Sequence, residues 1–107
     1  MGQLEVAMGL IAGAGDSRSY CLEAIDFARE GEFDQARETV KQAVSAMIET
    51  HEVQTQLIRD EMEGKGENVS LLMVHAQDHL NLALIMRDIT EEFITMYERI
   101  YRLEERK

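Results

Sequence analysis

Proline is absent from the 107 residues, cysteine occurs once, and Lys and Arg together number 11 against 21 Asp and Glu. Each shortage excludes something. Without proline, nothing in the chain forbids long uninterrupted helices. The lone Cys21 rules out an intramolecular disulfide framework and is ordinary for a reducing cytoplasm. A formal charge of −10 argues against a nucleic-acid partner, because phosphate backbones call for a basic face. Long hydrophobic runs are missing too. The nearest, "VAMGLIAGAG", is too short to span a bilayer, and Glu5 stands before it where a signal peptide carries Lys or Arg. Val6 occupies a position where N-myristoylation wants Ser or Thr. The expectation is one soluble, cytoplasmic domain over residues 1–107, not embedded in a membrane.

What is present reads as helix. Gly31 and the pair Gly64 and Gly66 are the two candidate breaks, which leaves three segments. The first, about Leu4 to Glu30, places Leu10, Ala14, Leu22, Ile25 and Ala28 at mixed steps of three and four. Gly13 and Gly15 within it suggest a kink or very close packing. The second, about Asp34 to Glu63, carries Ala36, Val40, Ala43, Met47, Gln54, Leu57, Ile58 and Met62 along one face. The third follows "GKGENVS", with Asn68 or Ser70 as N-cap. It runs His75, Asp78, Leu82, Ile85, Ile89, Phe93, Met96, Ile100 and Leu103, like a coiled-coil seam.

Rods of roughly 27, 30 and 35 residues joined by short loops give an all-α, antiparallel three-helix bundle. A second apolar strip on the third helix, Leu72, Leu80, Leu84, Ile94 and Tyr101, is expected to stay partly wet and to drive association through that helix. Met47, Met62, Met86 and Met96 fall among Leu and Ile at helical spacing and read as core.

The chemistry concentrates in "HAQDHL". On a helix His75, Asp78 and His79 project from neighbouring positions of one turn. Histidines at i and i+4 can share a metal ion. The Glu-x-x-His pairs of di-iron bundles are absent, and His51-Glu52 does not continue as HExxH. Alternatively, an imidazole serves as a nucleophile, with Gln77 and His79 offering hydrogen bonds to phosphoryl oxygens. No glycine-rich phosphate loop accompanies Lys65, so such a chain receives a phosphoryl group and binds no nucleotide. His51 reads as a packed residue, and Cys21 as an inert thiol.

"HAQDHL", "AGAGDSRSYCLEAI" and "THEVQTQLIRDEMEG" together resemble the IIA component of the lactose/cellobiose class of the bacterial phosphoenolpyruvate-dependent sugar phosphotransferase system, over nearly the whole chain. The resemblance implies a cytoplasmic phosphocarrier. Its acceptor would be His75, charged by the histidine-containing phosphocarrier protein and discharged to a cysteine of the IIB component, for uptake of a β-linked disaccharide such as cellobiose, chitobiose or lactose. It also implies a homotrimer in which Asp78 of each copy gathers around an axial divalent ion. Magnesium is the expected ion, since a hard cation suits carboxylates. Asn81, where some members of the family carry methionine, leaves the acceptor intact. The competing class is a non-catalytic helical trimeric interaction module with a histidine metal site.

Overall fold

The computed structural model describes residues 2–106. Among these, the chain forms three α-helices and no strand: α1 (Gln3–Arg29), α2 (Phe33–Met62) and α3 (Leu71–Glu105). They run up, down and up in a rod of 62 × 21 × 20 Å. The three-helix expectation holds, with boundaries within about two residues of those read from the sequence.

Both turns are made by glycine in the left-handed region, Gly31 at φ +81° and Gly64 at φ +78°. Each ends its helix in the same way. The amide after the glycine reaches back to the carbonyl five residues earlier, Glu32 to Phe27 at 2.9 Å and Lys65 to Asp60 at 2.8 Å. The glycine amides bond to Ala28 and Glu61, both at 3.1 Å. This is the Schellman arrangement, which satisfies carbonyls that the helix end leaves orphaned. Ser70 caps α3, its hydroxyl accepting from the Met73 amide at 3.1 Å. Gln3 ties the second loop to the start of α1: its Oε1 accepts from the Ser70 amide at 2.8 Å, and its Nε2 donates to the Asn68 carbonyl at 2.9 Å.

Helix α1 packs along its length against both α2 and α3, which meet each other far more sparsely. The buried stripe of α1 is Ala7, Leu10, Ala14, Ser17, Cys21, Ala24 and Ala28, and all but Leu10 are small. Small side chains let helix axes approach closely. At Gly13 the approach is close, since a Cβ built there would collide with the Thr50 hydroxyl of α2 and lie 3.1 Å from its Cβ. Ser17 adds a buried hydrogen bond to the Ala43 carbonyl at 2.9 Å. Of the alternatives raised by the glycines of α1, close packing holds at Gly13, while a Cβ built at Gly15 would meet nothing within 4 Å. Leu22, read as part of the stripe, points outward and is 51% exposed.

The core lies in three successive layers. Ala7, Leu10, Met73 and Ala76 form the first, Ala14, Met47, Leu80 and Ala83 the second, and Ala24, Ala28, Ala36, Val40 and Ile94 the third. Beyond them Phe33 meets Tyr101 edge-on, with ring centroids 5.6 Å apart. Arg37 of α2 grips Glu98 of α3 through two hydrogen bonds of 2.9 and 3.2 Å, which hold that carboxyl below the usual carboxylate range.

The two strips of α3 exchange roles relative to the sequence reading. Leu80 and Ile94, expected to stay partly wet, are fully buried, while Leu82 (61%), Ile85 and Ile89 of the presumed inner seam face outward. The inner residues Met73, Ala76, Leu80 and Ala83 and the outer residues His75, Asp78, Leu82 and Ile85 are offset by two positions. That offset turns a side chain to nearly the opposite face of a helix. Among the four methionines read as core, only Met47 is buried; Met86 is half-buried, and Met62 and Met96 are exposed. Ile58, placed on the inner face of α2, is exposed as well.

Gly13→Ala is expected to destabilise the chain by about 1–3 kcal/mol in urea unfolding, despite better helix propensity, because the new methyl overpacks against Thr50. Gly13→Ala combined with Thr50→Ala is expected to recover part of that loss. Unchanged or higher stability of the single variant would show that Thr50 yields to the added methyl and that the contact is not tight.

Candidate functional site

His75, Asp78 and His79 lie early in α3, at the end of the rod where the second loop meets the start of α1. Ser70 starts this helix one turn before His75, and the buried Ala76 and Leu80 anchor its inner face. The two imidazoles are thereby held on the outer side of a well-packed segment.

His75 is exposed and His79 half-buried. Their Nε2 atoms stand 3.0 Å apart, with ring centroids at 4.5 Å and planes at 88°. One ring donates and the other accepts, according to tautomer. With His79 donating, the hydrogen bond occupies the His75 Nε2 lone pair and fixes that ring's orientation, and because His75 is exposed the contact can be exchanged for one to an approaching molecule. Such a pair can present a nucleophilic nitrogen and hold a hydrogen-bond donor beside whatever that nitrogen acquires.

Asp78 is exposed and heads the outer apolar stripe of Leu82, Ile85 and Ile89. Among the described residues no group of three His, Cys, Asp or Glu side chains converges. Asp78 is therefore not part of such a group within one chain.

Gln77 is not brought to His75. It sits two residues on, faces α2, and accepts a hydrogen bond from Gln54 Nε2 at 2.7 Å, while its own amide reaches Met73 Sδ at 3.6 Å. The expected contact between Gln77 and phosphoryl oxygens on His75 therefore has no counterpart within one chain, because the two side chains leave α3 on opposite faces. Its visible task is to tie α3 to α2. The sequence reading missed Gln54 as its partner, although the signal was present: one amide on the otherwise apolar face of Met47 and Leu57. His51, taken as packed, is exposed on α2, where its carbonyl accepts from the Thr55 hydroxyl at 3.0 Å.

These contacts join the three segments that carried the resemblance. "AGAGDSRSY" meets "THEVQ" where Gly13 faces Thr50, and "THEVQ" meets "HAQDHL" where Gln54 bonds Gln77.

The family model described as "PTS system, Lactose/Cellobiose specific IIA subunit" matches residues 5–98. The chain belongs to that family of phosphotransferase-system IIA components. It is 39% identical over 102 residues to the lactose-specific EIIA component of Lacticaseibacillus casei, covering 95% of this chain and 91% of that protein. The fold superposes on the crystal structure of the cellobiose-specific enzyme IIA from Bacillus anthracis with a TM-score of 0.89 and 35% identity, covering 95% and 94% of the two chains. It also matches a chain in the solution structure of the IIA(Chitobiose)–HPr complex from the N,N'-diacetylchitobiose branch of the Escherichia coli phosphotransferase system. There the TM-score is 0.81 and the identity 36%, over 94% of this chain and 98% of that one.

Cys21 stands apart from this site. It is fully buried in α1, and burial pushes its thiol above the ordinary value, partly offset by the nearby Thr90 hydroxyl and Arg87 charge. It is expected to resist alkylation by iodoacetamide at mildly alkaline pH in the folded protein and to react fully in denaturant. Rapid labelling in native buffer would contradict its burial.

Proposed function

We propose that this chain is the phosphocarrier of a sugar phosphotransferase system, with His75 as the acceptor. The observation that supports this most directly is an exposed imidazole whose Nε2 is held 3.0 Å from a second imidazole, in the motif segment of a IIA-family chain. A relative is known in complex with HPr, which makes the histidine-containing phosphocarrier protein the expected donor. The acceptor is the IIB component, and the cargo is a β-linked disaccharide of the kind named for the relatives. The chain would work in the cytoplasm; no described helix is long and apolar enough to cross a membrane.

The transfer is a displacement at phosphorus. The hydrogen bond from His79 to His75 Nε2 opens, and the freed Nε2 lone pair forms an N–P bond as the donor's N–P bond breaks; the donor imidazole leaves with the electron pair. In the second step a cysteine thiolate of IIB takes the phosphoryl group and His75 regains its lone pair. Phosphohistidine is labile, so the protein contributes chiefly in-line placement and neutralisation of charge on the phosphoryl oxygens. His79, donating from Nε2, supplies one charge-assisted hydrogen bond to those oxygens.

His75→Ala is expected to abolish phosphorylation by the general phosphotransferase proteins, and His51→Ala to leave most of it, read as the mass gain of one phosphoryl group. The label is expected to be lost in acid and kept in alkali, as a phosphoramidate is. His79→Ala is expected to keep an acceptor but slow transfer by about tenfold to a hundredfold, the worth of one hydrogen bond to a charged group. Full labelling of His75→Ala, or an acid-stable label, would refute the assignment.

The working unit is inferred to be a homotrimer joined through the outer face of α3. Leu82, Ile85, Ile89, Phe93, Met96 and Ile100 are each between 42% and 61% exposed, a long apolar stripe that a second and third copy would cover. Asp78 heads the stripe, so three copies bring three carboxylates together. They repel one another unless they take up protons or share a cation, and a hard divalent ion such as magnesium suits oxygen ligands. Asp78→Leu removes ion and repulsion together and is expected to leave a trimer of equal or greater stability. Sedimentation and thermal unfolding, with and without chelator, check this; a monomeric wild type, or a trimer that Asp78→Leu dissociates, would overturn the axial placement.

A further inference from the structure

The spacing of the two imidazoles fits a second occupant besides a phosphoryl group. A zinc ion binds imidazole nitrogen at about 2.0–2.1 Å, so two nitrogens 3.0 Å apart subtend roughly 95° at a shared ion. That angle lies between tetrahedral and cis-octahedral geometry, and both are open to borderline transition metals. The 3.0 Å separation belongs to the hydrogen-bonded rotamers; i, i+4 placement keeps the two rings neighbours, and rotating them about χ1 and χ2 is the adjustment that aims both lone pairs at one point. The ion would be reached from solvent, since His75 is exposed. The net charge of −10 raises the local concentration of cations.

We propose that His75 and His79 chelate a single divalent ion of the zinc, nickel or copper class, and that such an ion and a phosphoryl group on His75 exclude each other. Imidazole nitrogen suits these metals, whereas magnesium prefers oxygen and would not occupy the pair. The exclusion follows from electron counting. The Nε2 lone pair of His75 makes either the metal bond or the N–P bond, and His79 Nε2 cannot donate a hydrogen bond while it ligates. No third His, Cys, Asp or Glu joins the pair among the described residues. Within one chain water therefore fills the remaining positions and the ion exchanges readily, which makes the block reversible. The metal site rests on geometry alone; its competition with phosphorylation rests on His75 being the acceptor.

The test begins with calorimetric titration of Zn²⁺ into the full chain and into His75→Ala and His79→Gln, with Mg²⁺ as a control. The ¹⁵N resonances of both rings are followed by NMR in parallel. One ion per wild-type chain is expected, with joint shifts of the two rings and binding weakened by about tenfold or more in either variant as chelation becomes single ligation. Binding equally tight in both variants would place the ion on surface carboxylates and overturn the site, as would the absence of ring shifts. The second arm measures the rate of phosphorylation by the donor, with and without zinc. Zinc is expected to slow wild type about tenfold or more at saturation, and to slow His79→Gln much less relative to its own zinc-free rate. Equal slowing of both would mean that zinc acts on the donor and would overturn the exclusion. Failure of wild type to accept phosphate without zinc would instead refute the phosphocarrier reading and leave the metal site standing.

Discussion

The close contact of α1 with α2 and α3 is the constraint on which the rest of the molecule depends. A stripe of Ala, Ser and Cys at alternating steps of three and four, with Gly13 against Thr50, brings the backbones near enough that few large side chains are needed inside. Leu80 and Ile94 of α3 are among the few bulky groups drawn into that core. The remaining large apolar residues of α3 then have no inner place to go. They accumulate outside as the stripe from Leu82 to Ile100, so tight packing within one chain and an exposed apolar face share a single cause.

The same economy explains why the helices were legible in the sequence and the faces of α3 were not. Ends announce themselves locally: Gly31 and Gly64 are the residues that tolerate positive φ, and Ser70 offers the capping hydroxyl. Periodicity reports that a face is apolar without reporting what covers it. Both strips of α3 repeat at helical spacing, and the strip richer in Ile and Phe looked like the interior. The deciding information lay in α1, where Ala and Ser oppose α3 and leave room for only one modest row. Leu22 was misread for the related reason that size was weighed above register.

At the site, sequence distance carried His75 and His79 correctly, because i and i+4 on a helix meet whatever surrounds them. Gln77 was harder, since its direction depends on which side of α3 faces inward, and that had been inverted. Once Ala76 and Leu80 are known to be inside, Gln77 must lean towards α2, where Gln54 waits. The resulting amide pair spans two of the three segments shared with the family. Those segments are then joints of the scaffold as much as carriers of chemistry. Holding an imidazole outward on a stiff helix requires the turn behind it to be fastened, and the Gln54–Gln77 pair fastens it.

The clamp of Gln3 on the second loop has a consequence for how the molecule can be handled. It places the beginning of α1 beside the histidines, while the end of α3 lies about 45 Å further along the same helix, at 1.5 Å for each of the residues between His75 and Glu105. A fluorophore, spin label or fused domain attached before Gln3 would crowd the end that carries the histidines and strain the clamp. The same cargo attached after Glu105 would ride at the opposite pole of the rod. The two ends of the rod are thus mechanically unequal, one clamped beneath the histidine pair and the other free of that clamp.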